Sequence, residues 1–276
     1  MKKLLSFALA ALMILVCVFS FASCGGKGDT ATTADGTSAA TSAVAGSDGT
    51  LKIATSPDFP PFENLEDGKV VGIEVEIMEA VCARLGLTPV ITQIDFDAVL
   101  LGVTAGRFDC GMSGITVTES RKENMLFTDP YCLAAQAIVV KEGSSITCKA
   151  DLAGKKVSVQ TGTTAEEFCM GNGYSVSAFQ ANSDAEMALV QGRVDAWVID
   201  DLTAAEMVKE YNGSHSSKLV ILSEAMTTEP YAFAFAYGNE AIVTQINAIL
   251  QEMLSDGTIA ALFAKYDAPY TAPAAK

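Results

Sequence analysis

The sequence predicts an α/β protein built of two related lobes. Strand-like and helix-like segments alternate from residue 51 to residue 211. A helix–Gly–strand junction occurs twice, as Ala105-Gly-Arg-Phe-Asp109 and Gln191-Gly-Arg-Val-Asp195, and each belongs to a series opened by a short strand, Leu51-Lys-Ile-Ala-Thr55 and Lys156-Val-Ser-Val-Gln160. Finally, residues 224–235 return as an extended apolar run after the second series is complete. A return strand at that point predicts that the first lobe is discontinuous and closed by the C-terminal helices. Each lobe is expected to be a mixed sheet flanked by helices, with two extended segments, near residues 131–137 and 229–233, joining them.

Taken in order, the first strand, 51–55, ends in a loop carrying Pro57, Pro60 and Pro61, residues that cannot continue a ladder. Residues 70–73 read as extended. Residues 74–85 read as an amphipathic helix, because Ile73, Ile77, Ala80, Val81 and Leu85 recur at helical spacing and Gly86 stops the run. A strand at 89–94, a helix at 97–105 and strands at 108–112 and 138–141 follow. The second series predicts strands at 157–160, 175–179 and 196–199, with helices from Thr164, at 183–191 and at 203–211. Helices at 240–256 and 258–266 finish the fold.

The ends of the chain differ in kind. Met1-Lys-Lys3 precedes an apolar run from Leu4 to Phe21, the pattern of a secretory signal. The run also approaches the length of a membrane anchor. Ala22-Ser-Cys24 resembles the lipobox of bacterial lipoproteins, with Phe21 where Leu is usual, which implies lipidation of Cys24. Residues 25–47 are Gly, Ser, Thr, Ala and Asp with hardly a bulky side chain and read as a flexible tether. The expected organisation is signal 1–23, tether 24–49, lobe one 50–134 with 231–270, lobe two 135–230 and a tail 271–276.

Composition narrows the function. The chain holds 18 bases and 33 acids, and loss of Lys2 and Lys3 with the signal leaves 16 against 33, near −17. That charge argues against nucleic acid as a partner. Outside the signal and Cys24, Cys82, Cys110, Cys132, Cys148 and Cys169 are widely spaced and odd in number. They form no CxxC-type metal pattern and read as small core residues. His215, the only histidine, lies in a polar loop, and no nucleophile elbow, phosphate loop or metal cluster is present. The sequence therefore calls for no cofactor, no metal and no catalytic residue.

Four loops carry the candidate site. Ser56-Pro-Asp-Phe59-Pro-Pro-Phe62-Glu63 and Asp95-Phe96-Asp97 place aromatics after a strand and at a helix start. Ser113-Gly114-Ile-Thr116-Val-Thr118-Glu-Ser-Arg121 joins a strand end to a helix for which Thr118 is the expected N-cap. A guanidinium there is a rigid fork matched to a carboxylate, although a lone arginine in that setting also reads as a surface residue. Gln160-Thr-Gly162-Thr163-Thr164 runs from strand to helix. Its N–H groups can take a second anion, and Thr163 with Glu166 also fits a capping box. Asp200, at a strand's carboxyl end, is placed to meet an ammonium group or to stand solvated beside Asp201.

These motifs, in this order, resemble the extracytoplasmic solute-binding proteins for polar amino acids, the receptors of ABC importers, over residues 50–268. The resemblance implies a two-lobed, type II periplasmic-binding-protein-like fold that is monomeric, closes by hinge bending over a free amino acid, and docks on membrane permease subunits. It implies that Arg121 pairs with the ligand α-carboxylate, helped by the N–H groups of Thr116 and Thr164. The α-ammonium would fall to Asp200, the Thr116 hydroxyl and the Gly114 carbonyl, with Phe59 and Phe96 sandwiching the side chain. Ser113 and Thr163 belong to the same loops. Ser56 stands where relatives for cationic side chains often carry an acid, and Gln160 occupies a side-chain-recognition position. A neutral polar amino acid is therefore expected, with a cationic one or cystine as the alternative. An enzyme such as a dehydratase, or a sensor domain, on the same scaffold is the reading from another class.

Overall fold

The computed structural model describes residues 45–274. The expected signal, Cys24 and residues 24–44 of the tether lie outside the described residues, as do the last two residues of the tail. Residues 45–49, expected in the tether, instead form a turn against the body of the protein. Ala45 is buried, its N–H donates to Asn239 Oδ1 at 2.9 Å, and Gly46 packs close to Leu87 and Ile242.

The chain opens with β1 (Thr50–Thr55), a small hairpin sheet of β2 (Asp58–Phe59), β3 (Glu63–Glu66) and β4 (Lys69–Val71), then α1 (Ile73–Leu85), β5 (Thr88–Gln93) and α2 (Phe96–Thr104). It continues with β6 (Cys110–Gly111), the short helix α3 (Glu119–Lys122) and β7 (Leu126–Phe127). Strand β8 (Cys132–Ala134) leads into β9 (Gln136–Lys141), a 3-10 turn at Lys149–Leu152, β10 (Lys156–Gln160), α4 (Thr164–Gly171), β11 (Ser175–Phe179), α5 (Asn182–Val190), β12 (Ala196–Asp200), α6 (Asp201–Ser214) and β13 (Leu219–Ile221). The return consists of β14 (Glu229–Tyr231), β15 (Ala234–Phe235), α7 (Glu240–Ser255) and α8 (Thr258–Lys265).

Two five-stranded sheets result, in the orders β5-β1-β6-β15-β7 and β11-β10-β12-β9-β13. Each has three parallel strands followed by two antiparallel pairings, so the lobes share one plan. The sequence echo has a mechanical cause. Asp109 exchanges bonds with Lys52, accepting its N–H at 2.8 Å, and Asp195 does the same for Lys156 at 2.8 Å. In both lobes an aspartate carboxylate ties down the start of the first strand. The strand expected over 108–112 is shorter, because only two of its residues pair on both sides before the chain turns into the site loop.

The chain crosses between the sheets twice, and the two crossings pair with each other: β8 and β14 form an antiparallel ribbon with Ala134 opposite Glu229 and Cys132 opposite Tyr231. A two-stranded ribbon is thin enough to bend while the packed lobes stay rigid. The tail runs beside it, with Leu133 N–H donating to Thr271 O at 2.9 Å. Helix α7 shows why the C-terminus closes the first lobe. Ile242, Val243, Ile246, Ile249, Leu250 and Met253 recur at steps of three and four and bury one face, each contributing about 1.5–3 kcal/mol. The five described cysteines are free thiols, and all but Cys148 are buried.

Candidate ligand-binding site

The carboxyl ends of the parallel strands in both sheets face the same cleft, the usual place for ligands in open α/β sheets. A narrow, nearly closed cavity of about 10 Å³ lies there, and its walls are Ser56, Phe59, Phe96, Ser113, Gly114, Thr116, Arg121, Gln160, Thr163, Thr164 and Asp200. All eleven residues singled out from the sequence meet around this one space.

Arg121 sits in α3, whose N-cap is Thr118: its hydroxyl accepts the Arg121 N–H at 3.2 Å. The residue is only 7% exposed. Nη1 donates to Thr116 O at 2.9 Å, Nη2 crosses the cleft to Gly162 O at 3.1 Å, and the group lies 5.7 Å over the Phe96 ring. Burial pulls its pKa down, opposed by the charges of Glu167, Glu229 and Asp200. An arginine so placed stays charged.

Asp200 comes from the other lobe, at the end of β12, and is also 7% exposed. Its Oδ1 accepts from Gln136 Nε2 at 2.9 Å, and the same Nε2 donates to Thr164 Oγ1 at 3.2 Å. Burial first, then the charge of Glu229, push Asp200 up to about 7, while Tyr231 and Gln136 act in the opposite direction. The cavity therefore has a fixed cation at one wall and a proton-dependent anion at the other. Two such poles suit a zwitterion, since a charge removed from water needs an opposite partner.

Two residues of the loops hold the walls close. Gly114 has φ +54°, and a Cβ there would stand 2.5 Å from Phe59 Cε1. Gly162 has φ +80°, and its Cβ would lie 3.1 Å from Asp97 Cβ across the cleft. The Gln160–Thr164 loop departs from the expected capping box. Thr163 Oγ1 accepts the Glu166 N–H at 3.2 Å, but Glu166 reaches back to the Gly162 N–H at 2.7 Å rather than to Thr163. The Gly162 amide is thereby withdrawn from anion binding. Gln160 is likewise engaged: its Nε2 donates to Gln180 O at 3.0 Å and lies 3.4 Å from Asp58 Oδ1, and its Oε1 accepts from Asn182 Nδ2 at 3.1 Å.

The sequence reading did not show how the residues around this set bond. Asp58 Oδ2 accepts the Asn182 N–H at 2.6 Å, a direct bond between lobes at the start of α5. Gln136 orders Asp200 and Thr164, and a glutamine within the apolar run 133–140 was the available signal for it. Tyr231 packs against Phe59 with ring centroids 6.3 Å apart. His215 is exposed and stacks on Tyr211 at 4.2 Å, remote from the cavity lining. Among the described residues no group of His, Cys, Asp and Glu is arranged to hold a metal, and no helix is long and apolar enough to cross a membrane.

The family model of the bacterial extracellular solute-binding proteins, family 3, matches residues 51–268. The chain belongs to that family. Within it, this family 3 chain is 32% identical over 223 residues to the L-cystine-binding protein TcyJ of Escherichia coli strain K12, covering 79% of this chain and 82% of that protein. It is 30% identical over 289 residues to a probable histidine-binding protein of Neisseria gonorrhoeae, covering 100% of this chain and 99% of that one. Among solved structures, an ancestral arginine-binding protein bound to arginine superposes with a TM-score of 0.74 at 38% identity, covering 79% of this chain and 98% of its own; it is also solved bound to glutamine. The two-lobed type II periplasmic binding protein fold is therefore that of this family 3 chain, which is an extracytoplasmic solute-binding protein.

Proposed function

We propose that this protein is the amino-acid-capturing subunit of an ABC importer and that its ligand is a free amino acid with a neutral polar side chain. The observation that carries the reading is the pair of buried opposite charges facing one narrow cavity from different lobes, Arg121 and Asp200. Arg121 takes the α-carboxylate with the Thr116 and Thr164 N–H groups. Asp200, the Thr116 hydroxyl and the Gly114 carbonyl take the α-ammonium. Phe59 and Phe96 flank the side chain, whose polar end meets Ser56 and Gln160, with Ser113 and Thr163 completing the wall. Because the ligand bridges both lobes, it stabilises the closed state more than the open one, and that difference drives closure about the β8–β14 ribbon. Lobe one (50–134 with 231–270) and lobe two (135–230) move as units, and the closed monomer is what permease subunits receive. Lipidated Cys24 holds it at the outer face of the membrane, which predicts that Cys24→Ala moves the protein from the membrane fraction to the medium.

The neutral preference is supported by the hydrogen bonds at the outer end of the cavity. Asp58, the acid beside Ser56, is committed to the Asn182 N–H and to Ser56 Oγ at 3.2 Å, so that end of the cavity offers a ligand side chain no uncommitted carboxylate. A cationic ligand is the second reading, favoured by Asp58 and Asp95 in the adjoining opening beyond Ser56 and by relatives named for arginine or histidine. A thermal-shift and calorimetric panel of all common amino acids plus ornithine and cystine, on protein unfolded and refolded to strip bound ligand, separates the readings. Stabilisation by serine, threonine, asparagine or glutamine supports the first, and stabilisation by arginine, lysine or ornithine the second. No response from well-folded protein overturns the amino-acid reading.

A further inference from the structure

Behind the ammonium end of the cavity lie two carboxyl groups that the ligand reading does not use. Glu63, in β3, and Glu74, in the first turn of α1, are both fully buried. Glu63 Oε1 accepts from Ser113 Oγ at 2.8 Å, and Ser113 Oγ in turn accepts the Ser56 N–H at 3.1 Å. Glu74 Oε2 accepts the Gly114 N–H at 2.9 Å, and its Oε1 accepts from Tyr131 Oη, beside the hinge ribbon, at 2.5 Å. Glu63 Oε2 is buried with no hydrogen-bond partner, and because Ser113 and Gly114 are adjacent in the chain, the bonds they make bring the Glu74 carboxyl close to that of Glu63.

Two ionised carboxylates repel in one dry site, so burial together favours a single proton held between them. The groups acting on the pair are each other, Asp58, Ser113, Tyr131 and the Gly114 amide, and none of these is a cation. Both oxygens of Glu74 already accept hydrogen bonds, which suits a carboxylate. Glu63 has one oxygen accepting and one left over, which suits a carboxylic acid donating from Oε2 to Glu74. Burial and the Glu74 charge push Glu63 well above the usual carboxylate range; burial also raises Glu74, against the hydrogen bonds it accepts.

We propose that Glu63, protonated, and Glu74, ionised, are a proton-sharing pair that positions the Ser113–Gly114 loop for the ligand ammonium and ties it to Tyr131 at the hinge. Neither residue touches the ligand; they act through Ser113, Gly114 and Ser56. The assignment of the loop to the ammonium rests on the ligand reading above, whereas the shared proton does not.

The assignment predicts an asymmetry. In Glu63→Gln the amide N–H₂ replaces the donating Oε2 and its carbonyl still accepts from Ser113, so binding is preserved within about threefold. In Glu74→Gln one amide nitrogen must face the Gly114 N–H or the Tyr131 hydroxyl, and binding falls about tenfold, the order expected for one unsatisfied buried group. Glu63→Ala falls as far as Glu74→Gln. The probes are L-glutamine, L-arginine and L-cystine, titrated calorimetrically into wild type and variants. Infrared difference spectra at about pH 8, above the range where Asp200 and Glu186 hold their protons, must show a protonated-acid C=O stretch in wild type that vanishes in Glu63→Gln. Absence of that band, or equal losses in Glu63→Gln and Glu74→Gln, overturns the proposal. A wild type that binds none of the probes overturns the ligand reading and leaves the infrared test of the pair standing. If Glu74→Gln does not fold, the comparison of Glu63→Gln with Glu63→Ala and the infrared band decide alone.

Discussion

Lowering the pH should weaken ligand binding through a single group. The ammonium partner, Asp200, is raised to about 7 by burial and by Glu229, so below that pH an increasing fraction of the unliganded site holds a neutral carboxyl. A ligand ammonium must then displace the proton, and the apparent affinity falls tenfold for each further unit. From about pH 8 to about pH 5 the loss is about a hundredfold, or about 2.7 kcal/mol, provided the bound state keeps Asp200 ionised. Titration calorimetry with the best amino acid in buffers of different ionisation enthalpy reads both the affinity and the protons released, close to one per site at about pH 6. Asp200→Asn should bind weakly with a flat profile. Stability of the unliganded protein carries the opposite sign. The folded pKa lies above the unfolded value of 3.8, so Asp200's contribution is fully present below that value and is lost as pH rises through about 7. The loss is at most about 4 kcal/mol, and it is absent in Asp200→Asn. An affinity that does not change between those pH limits would refute the assignment of Asp200 as the partner of the ligand cation.

Three further outcomes are expected. Arg121→Ala should cost about 2–5 kcal/mol of binding with the fold retained, read by calorimetry and circular dichroism, because the ligand carboxylate loses its only buried cation in the cavity wall. Asp58→Ala removes the direct lobe-to-lobe bond to Asn182. It should weaken binding about tenfold and enlarge the radius of gyration of the liganded state in solution scattering, and unchanged values in both would dismiss Asp58 as a latch. Gly114→Ala forces a Cβ into a left-handed backbone and against Phe59. The cost is about 1–2 kcal/mol in urea denaturation together with loss of ligand-induced stabilisation.

Much of the fold was legible because its signals are local. The α1 and α7 stripes, Gly86 at φ +68° closing α1, and the Thr118 and Thr163 caps all depend on neighbours within a few residues, and each was recovered to within a residue or two. The paired junctions at Asp109 and Asp195 revealed the duplicated plan. The hairpin at 58–66 and strands β7 and β13 went unmarked individually. They are two to four residues long, and their pairing partners lie far away or across a proline-rich turn. The turn at 45–49 looked like tether because small polar residues carry no periodicity, and the distant Leu87, Thr88, Asn239 and Ile242 hold it in place.

For the site, residue type and order, together with the family resemblance they carry, pointed to the eleven lining positions, since loops that follow parallel strands converge at one edge of a sheet. What those side chains bond to was a different matter. Gln136 with Asp200, Asp58 with Asn182, and Glu63 and Glu74 with Ser113, Gly114 and Tyr131 are 40 to 124 residues apart in the chain. A buried polar group takes whichever partner the packed elements bring within about 3 Å, and that choice is geometric and non-local. Hydrophobic periodicity, caps and loop chemistry thus determined the two lobes and the wall of the cleft. Only the tertiary structure decided which acids are buried together, which amides are already engaged, and which bonds close the lobes on each other.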